Sequence, residues 1–559
     1  MDFDTSGMIR SVQPVGQFLN FSVNEPQYLH ETIQDVVRAE QTKQAALSNS
    51  TTSSGPTGSW NALGYGMDPT VGKGKVVAID YSSPNIAKPF HGGHLRGTIL
   101  GNFATRLLRG FGYQVVGINY LGDWGKQYGL MAVGFDKYGD RTKLHQDPIK
   151  HLYDVYVRIN QDITTTPGLD KLANQYFKQM EDGDPTVLSL WQEFRSLSID
   201  FYKRIYKRLG IEFDIYSGES ESARFVPQAY DLLREKGLLR EEADGAWVVD
   251  LEEYGLGVCA LRRADGTTLY LTRDVAACLE RAERFGFDRH LYMIGDDQNL
   301  HMKRLFKIME LAFANETDTK KQEQDQEQHW SQSLQHISFG KVQGMSTRKG
   351  NAVFLEDILD TAQSTMLEKM KENQAKFDAV KESSSSGGGG GGEQGSVELV
   401  ADQLGISAVV IQDFQAKSAK GYEFSWKRMT ESTGNTGIYL QYAYARLCGI
   451  ADKSGTTLNT NANTALLTEP EAFELANMIS QYPEITLSTL HTLEPSTIVN
   501  YLFGLSHAIS SANQVLQVKA VAEKGDTELA EARFLLLWCA KIVLGDGMRI
   551  LGLEPLERM

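Results

Sequence analysis

The chain has 559 residues, 41% hydrophobic and 23% charged, a composition typical of a globular protein with about two to four domains. Its apolar runs are too short to predict a membrane span, and the N-terminal segment lacks the apolar core of a secretory signal. The net charge of -15 taken alone disfavours nucleic-acid binding, because phosphate contacts require Lys and Arg. The four cysteines form no C-x-x-C pair, so neither a zinc site nor a disulfide framework is predicted, and a reducing, cytoplasmic location fits.

The first regular elements predict a βαβ unit. An apolar strand at 75–81 leads through a polar turn into a helix at 94–110, and a second apolar run follows at 113–121. The helix has an apolar face at four-residue spacing, formed by Leu95, Ile99, Phe103 and Leu107. A strand, a crossover helix and a second strand indicate the α/β class, with a doubly wound parallel sheet.

The loop of this unit carries His91-Gly92-Gly93-His94 at the start of the helix. Backbone N–H groups and the positive end of the helix dipole meet there, which predicts a polyphosphate site whose oxygens the two imidazoles can hydrogen-bond. A zinc-protease motif does not fit, because the H-x-x-H spacing begins in a loop and no glutamate follows the first histidine. A capping histidine beside a surface histidine is the alternative.

Later segments repeat the alternation of strands and helices. Residues 148–209 are predicted as a helical insertion. A strand at 269–271 with a helix at 274–285, and a strand at 290–294 with a helix at 300–313, then continue the parallel sheet.

Two low-complexity segments help to divide the chain. The polar segment 315–332 is predicted as a surface loop, and the Ser/Gly-rich segment 382–396 as a flexible spacer. The predicted divisions are a short segment 1–25, an α/β domain 26–380 with a helical insertion at about 148–250, a linker 381–396, and an all-α domain 397–559.

A second motif follows the last predicted strand, Gly344-Met345-Ser346-Thr347-Arg348-Lys349-Gly350. Two cations between glycines predict a mobile loop that could close on a triphosphate. Its charge would then meet the negative charge that develops at the α-phosphorus. A solvent-exposed turn is the alternative for this heptapeptide alone.

Together, in this order on a doubly wound sheet, the two motifs resemble the HIGH and KMSKS signatures of class I aminoacyl-tRNA synthetases. The resemblance narrows to arginyl-tRNA synthetases of the eukaryotic, fungal-like type and covers nearly all of residues 75–559. It is carried by SSPNIAKPFHGGHLRGTILGNF (82–103), NYLGDWGKQYGL (119–130), LYLTRD (269–274), DDQNLH (296–301), FGKVQGMSTRKG (339–350), GNTGIYLQYAYAR (434–446) and GMRILGLEPLERM (547–559).

This resemblance implies a Rossmann-like catalytic domain with a helical insertion and an all-α anticodon-binding domain. Residues 1–25 would then be the remnant of an N-terminal tRNA-binding domain. The implied reaction activates L-arginine with ATP and Mg²⁺ and transfers it to tRNA(Arg). A monomer without a structural metal is expected, in the cytoplasm, with a mitochondrial form as an open alternative.

Residue roles in substrate binding also follow from the resemblance. A guanidinium is planar and a carboxylate offers it two acceptors, so Asp274 suits arginine better than lysine. Without the resemblance, Tyr270 would be read as a half-buried strand aromatic and Asp274 as an N-terminal helix acid. The residues expected to contact arginine are Ser83, Pro84, Asn85, His94, Tyr270, Asp274 and Gln298. Those expected to contact ATP are His91, Gly93, His94, Met345 and Ser346.

One position departs from the family pattern. Thr347 stands where KMSKS has its second lysine, and Lys88, just upstream of the first motif, is expected to take over at the α-phosphate. The implied catalytic residues are His91, His94, Lys88, Arg348 and Lys349.

The C-terminal helices carry the residues expected to contact tRNA. Stacking of an unpaired base on an aromatic side chain contributes ~1–3 kcal/mol, which eases the objection from net charge. Packing within a helical core is the alternative for the tyrosines. The expected contacts are Tyr439, Gln441, Tyr442, Arg446 and Met559.

Two other functions stay open from the residues alone. A HIGH-type nucleotidyltransferase would adenylate a small acid without tRNA, but the large helical C-terminal region argues against it. A non-catalytic tRNA-binding paralogue would not need His91, His94, Asp274 and Gln298.

Overall fold

The computed structural model describes residues 7–49, 64–86, 90, 92–314, 329–344, 354–372, 397–429, 431 and 434–559. Most of the predicted loop at 315–332 and the predicted spacer at 382–396 lie outside these ranges. The predicted site residues outside them are Lys88, His91, Met345, Ser346, Arg348 and Lys349.

The N-terminal half contains a hairpin, a long helix and the first part of a sheet. The hairpin is β1 (Ile9–Val15) and β2 (Phe18–Val23), and the long helix is α1 (Glu25–Asn49). A βαβ unit follows, with β3 (Val76–Asp80), α2 (Gly92–Gly110) and β4 (Gln114–Leu121). Five helices come next: α3 (Lys126–Tyr138), α4 (Arg141–Gln146), α5 (Pro148–Thr165), α6 (Leu169–Glu181) and α7 (Pro185–Arg208).

The chain then returns to the sheet. In order, these elements are β5 (Ile215–Gly218), α8 (Glu219–Ser222), α9 (Val226–Glu235), β6 (Leu239–Glu241), β7 (Trp247–Leu251), β8 (Gly257–Arg262), α10 (Tyr270–Phe285), β9 (Arg289–Gly295), α11 (Asn299–Ala312), β10 (Leu334–Phe339) and β11 (Val342–Gln343). Strands β6, β7 and β8 form a separate antiparallel sheet.

The C-terminal part is almost entirely helical, as the sequence predicts. Its elements are α12 (Leu355–Lys371), α13 (Val397–Phe414), β12 (Tyr422–Glu423), α14 (Trp426–Met429), α15 (Gly437–Ser454), α16 (Pro470–Ser480), α17 (Tyr482–Thr492), α18 (Pro495–Val515), α19 (Val518–Glu523) and α20 (Thr527–Ile550). The short strand β12 pairs with β11 in parallel.

The central sheet confirms the predicted doubly wound α/β class. Its five parallel strands lie in the order β10-β9-β3-β4-β5. The chain moves outward from β3 through β4 to β5, then returns to β9 beside β3 and moves outward the other way. Ligands of such sheets bind at the carboxyl ends of the strands where this reversal occurs. The loops after β3 and β9 therefore define the expected site.

Two details of the sequence interpretation need correction. Strand β5 of the central sheet lies within the span predicted as an insertion at about 148–250, after the helices that end at Arg208 and before α9. The predicted strand at 269–271 is wrong, since α10 begins at Tyr270 and Leu269 is its extended N-cap residue. Tyr270 and Asp274 are therefore one helical turn apart on α10, at neighbouring positions of one face.

Helix α2 lies directly on the sheet. The four apolar residues of its predicted buried face are all at most 4% exposed. At Gly101 the helix crosses the Tyr81 ring so closely that a Cβ would meet ring carbon Cγ at 2.2 Å. Glycine is thus required for this contact, because the base of the Tyr81 side chain cannot swing away.

Substituting alanine at Gly101 should lower the melting temperature of the protein. Overpacking of this kind costs up to about 3 kcal/mol. The matched control is Gly449→Ala in α15, where the added Cβ would meet no described atom within 4 Å beyond the adjacent residues and backbone of its own helix. That variant should be more stable by roughly 0.5–1 kcal/mol, since alanine favours helices. Equal thermal shifts in the two variants would contradict the packing argument.

Helix α1 packs against the C-terminal helices, although the predicted divisions group it with the α/β domain. His30 Nδ1 lies 2.9 Å from Thr464 Oγ1, and Lys43 Nζ lies 3.1 Å from Asp546 Oδ1. Buried residues of α1, including Ile33 and Val36, belong to the same apolar core as these helices. None of the helices in the described ranges is long and apolar enough to cross a membrane.

Candidate active site

The turn after β3 has an unusual backbone held by side chains. Ser82 and Ser83 have φ values of 71° and 44°, in the left-handed region that costs energy for residues other than glycine. The Ser83 hydroxyl donates to Asp80 Oδ1 at 3.1 Å. The Ser82 hydroxyl lies 2.7 Å from the Tyr206 hydroxyl and 2.7 Å from Thr98 Oγ1. These bonds fix the turn at the carboxyl end of the sheet.

The next two residues of the turn are held by the end of β4. The Pro84 carbonyl accepts from the Gly122 N–H at 3.2 Å, and Asn85 forms a parallel bridge with Gly122. The Tyr202 hydroxyl donates to the Asn85 carbonyl at 3.0 Å. A Cβ at residue 122 would lie 2.4 Å from Asn85 Oδ1, so glycine permits this close approach. The predicted arginine-binding turn therefore has a defined geometry.

The first turn of α2 adjoins this segment. Gly93 is exposed and His94 is half-buried, with its ring stacked on Phe90 at 5.3 Å between centroids. The His94 carbonyl accepts from Thr98, the residue that also holds Ser82. The helix N-terminus supplies backbone N–H groups and positive dipole charge, which suits a phosphate. His91 and Lys88 lie outside the described residues.

Beneath the turn lies a buried ion pair that the sequence interpretation did not include. Arg281 of α10 contacts Asp80 at 2.6 Å, and both side chains are at most 6% exposed. The guanidinium also lies 4.5 Å from the centre of the Tyr120 ring. Burial raises the pKa of the Asp80 carboxyl, and the negative charge of Asp274 adds to this effect, whereas Arg281 opposes it. Asp274 therefore lies close enough to Asp80 for their charges to interact.

Asp274 itself is 30% exposed at this edge and is held by a histidine. His301 Nε2 lies 2.6 Å from Asp274 Oδ2. His301 belongs to the first turn of α11, just after the 3-10 turn Asp296–Gln298, which ends in the exposed residue Gln298. Tyr270 is 64% exposed, and the Arg273 guanidinium lies 4.7 Å from its ring centre.

A further carboxylate lies on the same side of the sheet. Glu219, the first residue of α8, pairs with Arg273 at 3.0 Å. Burial raises the pKa of the Tyr120 hydroxyl well above its usual value, and the charges of Asp274 and Glu219 both contribute. Among the ion pairs of the described residues, Asp80 and Glu219 each have a guanidinium partner, whereas Asp274 has an imidazole. Of these three carboxylates, Asp274 is thus the one that no arginine of the described residues contacts.

A fully buried arginine joins α2 to the root of the predicted cationic loop. Arg96 donates from Nη1 to the carbonyls of Gly340 at 2.5 Å and Lys420 at 2.8 Å. Its Nε lies 3.3 Å from Asp413 Oδ1, and its guanidinium lies 5.3 Å from the centre of the Tyr422 ring. These contacts hold the connection between β10 and β11, which leads directly into residues 344–350.

The charge state of Asp413 should make stability depend on pH. Burial raises the pKa of the Asp413 carboxyl to about 6, although Arg96 and the Tyr422 hydroxyl lower it. A carboxyl whose folded-state pKa exceeds its ordinary value contributes stability below that ordinary value and loses it as the pH rises through about 6.

We therefore expect the melting-temperature difference, wild type minus Asp413→Asn, to shrink between about pH 4 and about pH 7. Thermal melts at both values test this, because the asparagine cannot ionise. A difference that stays constant or grows with pH would contradict it.

A cleft of about 1050 Å³ lies in the C-terminal helices and includes three of the residues predicted to contact tRNA. Tyr442 is 41% exposed, Arg446 is exposed, and Met559 is half-buried at its rim. With the Asn513 amide turned to satisfy its neighbours, its oxygen accepts from Arg446 Nε at 3.0 Å. The charged side chains that line the cleft are Arg446, Asp452, Lys453, Lys519, Glu523, Glu557 and Arg558.

The structure does not support a base contact by Gln441. Its side chain is fully buried and donates to Ser407 Oγ and to the Glu554 carbonyl, both at 2.9 Å, while its oxygen accepts from the Leu556 N–H at 2.8 Å. Gln441 instead anchors the C-terminal segment. Tyr439 is half-buried, with its ring 5.4 Å from that of His507. Packing within the helical core, the alternative to a tRNA contact, therefore accounts for part of this side chain.

Comparison with protein families agrees with this geometry. Residues 64–426 match the family described as tRNA synthetases class I (R), catalytic domain, and residues 440–559 match the DALR anticodon binding domain. The parallel sheet and the helical C-terminal domain are thus those of a class I tRNA synthetase. The catalytic match continues past residue 397, where the sequence interpretation begins its C-terminal domain.

Individual relatives show which class I tRNA synthetases this chain is similar to in sequence. A probable cytoplasmic arginine–tRNA ligase of Dictyostelium discoideum is 45% identical, over 99% of this chain and 88% of that protein. The cytoplasmic arginine–tRNA ligase of Saccharomyces cerevisiae is 46% identical, over 87% of this chain and 77% of the relative. The chain therefore belongs to the arginyl-tRNA synthetase family, and its activity is that of an arginine–tRNA ligase.

A solved structure supports the fold. The arginyl-tRNA synthetase of Plasmodium falciparum superposes with a TM-score of 0.73, over 99% of this chain and 86% of that one. Its sequence identity of 21% makes this a similarity of fold alone.

Proposed function

We propose that Asp274 binds the guanidinium of L-arginine at the carboxyl edge of the sheet, with Tyr270 beside it. The observation that carries this proposal is the charge arrangement described above, in which Asp274 is the carboxylate without a guanidinium partner of its own. A forked cation such as guanidinium can bond both carboxylate oxygens, whereas an ammonium acts as a point charge.

The other end of the amino acid is proposed to lie along the turn after β3. Its α-amino and carboxylate groups are proposed to be held by Ser83, Pro84, Asn85, His94 and Gln298. ATP is proposed to lie against the N-terminus of α2, at Gly93 and His94, with its phosphates near the helix dipole. Six further contacts with ATP and its phosphates stay predictions, because the residues lie outside the described ranges: His91, Lys88, Met345, Ser346, Arg348 and Lys349.

In the first chemical step, an oxygen of the arginine carboxylate attacks the α-phosphorus of ATP, and pyrophosphate leaves. In the second, the terminal adenosine 2′-OH of tRNA attacks the arginyl carbonyl carbon, and AMP leaves. Neither step needs a covalent enzyme intermediate. The chain contributes in-line positioning of the two substrates, with positive charge near the phosphates.

Magnesium is proposed to arrive as the ATP complex. Within the described ranges, no three Asp, Glu, His or Cys side chains cluster as ligands for a metal. The phosphate oxygens of ATP suit Mg²⁺, which usually binds through few protein carboxylates.

The test is arginine-dependent exchange of pyrophosphate into ATP, measured with and without tRNA(Arg). We expect exchange that depends on bound tRNA, as the family resemblance implies, together with formation of arginyl-tRNA. Exchange driven by another amino acid in preference to arginine would contradict the proposed pocket.

The cleft around Tyr442, Arg446 and Met559 is proposed to take anticodon bases. Removing the exposed cation with Arg446→Ala should raise the Kd for tRNA(Arg) roughly tenfold, since stacking of one base contributes about 1–3 kcal/mol and a lost cation also weakens phosphate binding. The control is Arg38→Ala on α1, an exposed arginine outside the cleft. Filter binding at constant salt measures both, and equal losses would contradict a role for the cleft.

Location and assembly are further proposals. We propose a cytoplasmic enzyme, because the two relatives described above are named as cytoplasmic. We also propose that it acts as a monomer.

A further inference from the structure

The His301–Asp274 contact lies at the centre of the proposed arginine pocket. At 2.6 Å it is a short hydrogen bond between side chains that are 28% and 30% exposed. An ionised carboxylate only accepts hydrogen bonds, so Nε2 of His301 carries the proton and donates. The bond occupies one lone pair of Oδ2 and leaves Oδ1 for other donors.

We propose that His301 is a positioning residue for arginine recognition, which holds the Asp274 carboxylate in the plane that a guanidinium requires. This rests on the proposed binding of arginine by Asp274. An imidazole N–H orients the carboxylate through a single hydrogen bond and leaves its other oxygen to the ligand. A guanidinium partner, such as Arg281 beneath Asp80, would neutralise the carboxylate instead.

The fold supports this role through the placement of α11. His301 lies in the first turn of that helix, three residues after Gln298, so one segment after β9 carries both residues. Asp274 approaches from α10, which precedes the same strand. The contact therefore crosses between the two helices that flank β9 in the chain, and it fixes a side chain that would otherwise rotate about its own bonds.

Three variants separate positioning from a merely structural role. The amide nitrogen of His301→Gln can occupy the place of imidazole Nε2, whereas that of His301→Asn corresponds to Nδ1 and falls short of Asp274. We expect His301→Asn and His301→Ala to raise the KM for arginine about tenfold, the loss of one hydrogen bond to a charged group. The KM for ATP should stay unchanged, and His301→Gln should restore most of the arginine affinity.

The control is His145→Asn, which changes an exposed histidine 3.4 Å from Glu193, away from the sheet edge. It should leave the KM for arginine unchanged. Melting temperatures of all variants show whether each is folded. A His301→Gln variant as poor as His301→Asn, or a parallel rise in the KM for ATP, would overturn the positioning role.

A comparison with Asp274→Asn distinguishes the two proposals. If Asp274→Asn keeps normal arginine use, the proposed pocket fails and the role of His301 fails with it. If Asp274→Asn loses arginine use but His301→Asn does not, the pocket stands and only the positioning role is overturned. In the double variant, the effect of His301→Asn should disappear, since there is no carboxylate left to orient.

Discussion

Replacing Asp274 with asparagine should lower kcat/KM for arginine on the order of 100- to 1000-fold. The substitution keeps the shape of the side chain and removes the charge that is proposed to bind the guanidinium. Truncating one partner of a close charge pair costs about 2–5 kcal/mol, and each 1.4 kcal/mol is about a factor of ten. The loss should fall on arginine, because Asp274 belongs to α10, whereas the site proposed for ATP lies at the N-terminus of α2.

Steady-state aminoacylation with varied arginine and, separately, varied ATP measures this prediction. The matched control is Asp231→Asn on α9, whose ion pair with Arg234 is exposed on both sides and contributes little. That variant should stay within about twofold of wild type, as expected for a surface pair. Near-normal arginine kinetics in Asp274→Asn would refute the pocket assignment.

Replacing Arg96 with methionine should have the second large effect, on stability and on ATP use together. Breaking a buried ion pair by removing one partner costs about 3–5 kcal/mol, since the remaining charge stays buried. Here Asp413 and the carbonyls of Gly340 and Lys420 would lose their donor. The connection that leads into residues 344–350 would then be held less firmly against α2, so the KM for ATP should rise.

Thermal melts and ATP kinetics test this variant. In the double variant Arg96→Met/Asp413→Leu, part of the stability should return, because no buried charge is left alone. Arg38→Met, which breaks the exposed pair with Asp35 on α1, is the control and should change the melting temperature very little. A double variant less stable than Arg96→Met would contradict the buried-charge argument.

Local patterns in the sequence were sufficient to predict the elements that form the first half of the candidate site. The strand ending at Asp80, the turn and the apolar face of α2 are predictable because their periodicity is local. The switch of strand order between β3 and β9 is not local, yet the alternation of strands and helices indicates it. Asp274 was assigned from the family resemblance and stays a prediction; in the structure its charge acts on the buried Asp80 carboxyl.

Contacts between distant segments were not predictable. In the sequence Arg281 is one more charged residue of a helix, and only the folded chain brings it to Asp80, 201 residues earlier. His301 lies within a segment that carries the family resemblance, but nothing in that segment indicates which carboxylate it contacts. For Gln441 the sequence led to a wrong expectation. A polar residue between tyrosines suggested an exposed contact with tRNA, but the Gln441 side chain is buried.

The docking of α1 on the last helices has a consequence for biogenesis. Lys43 and its partner Asp546 are 503 residues apart in the chain. At a synthesis rate of about 5–20 residues per second, roughly 25–100 s separate their emergence from the ribosome. For most of that interval, until Thr464 and α16 have emerged, the apolar side of α1 lacks its native partners, so a nascent chain of this protein offers chaperones an early and long-lived target.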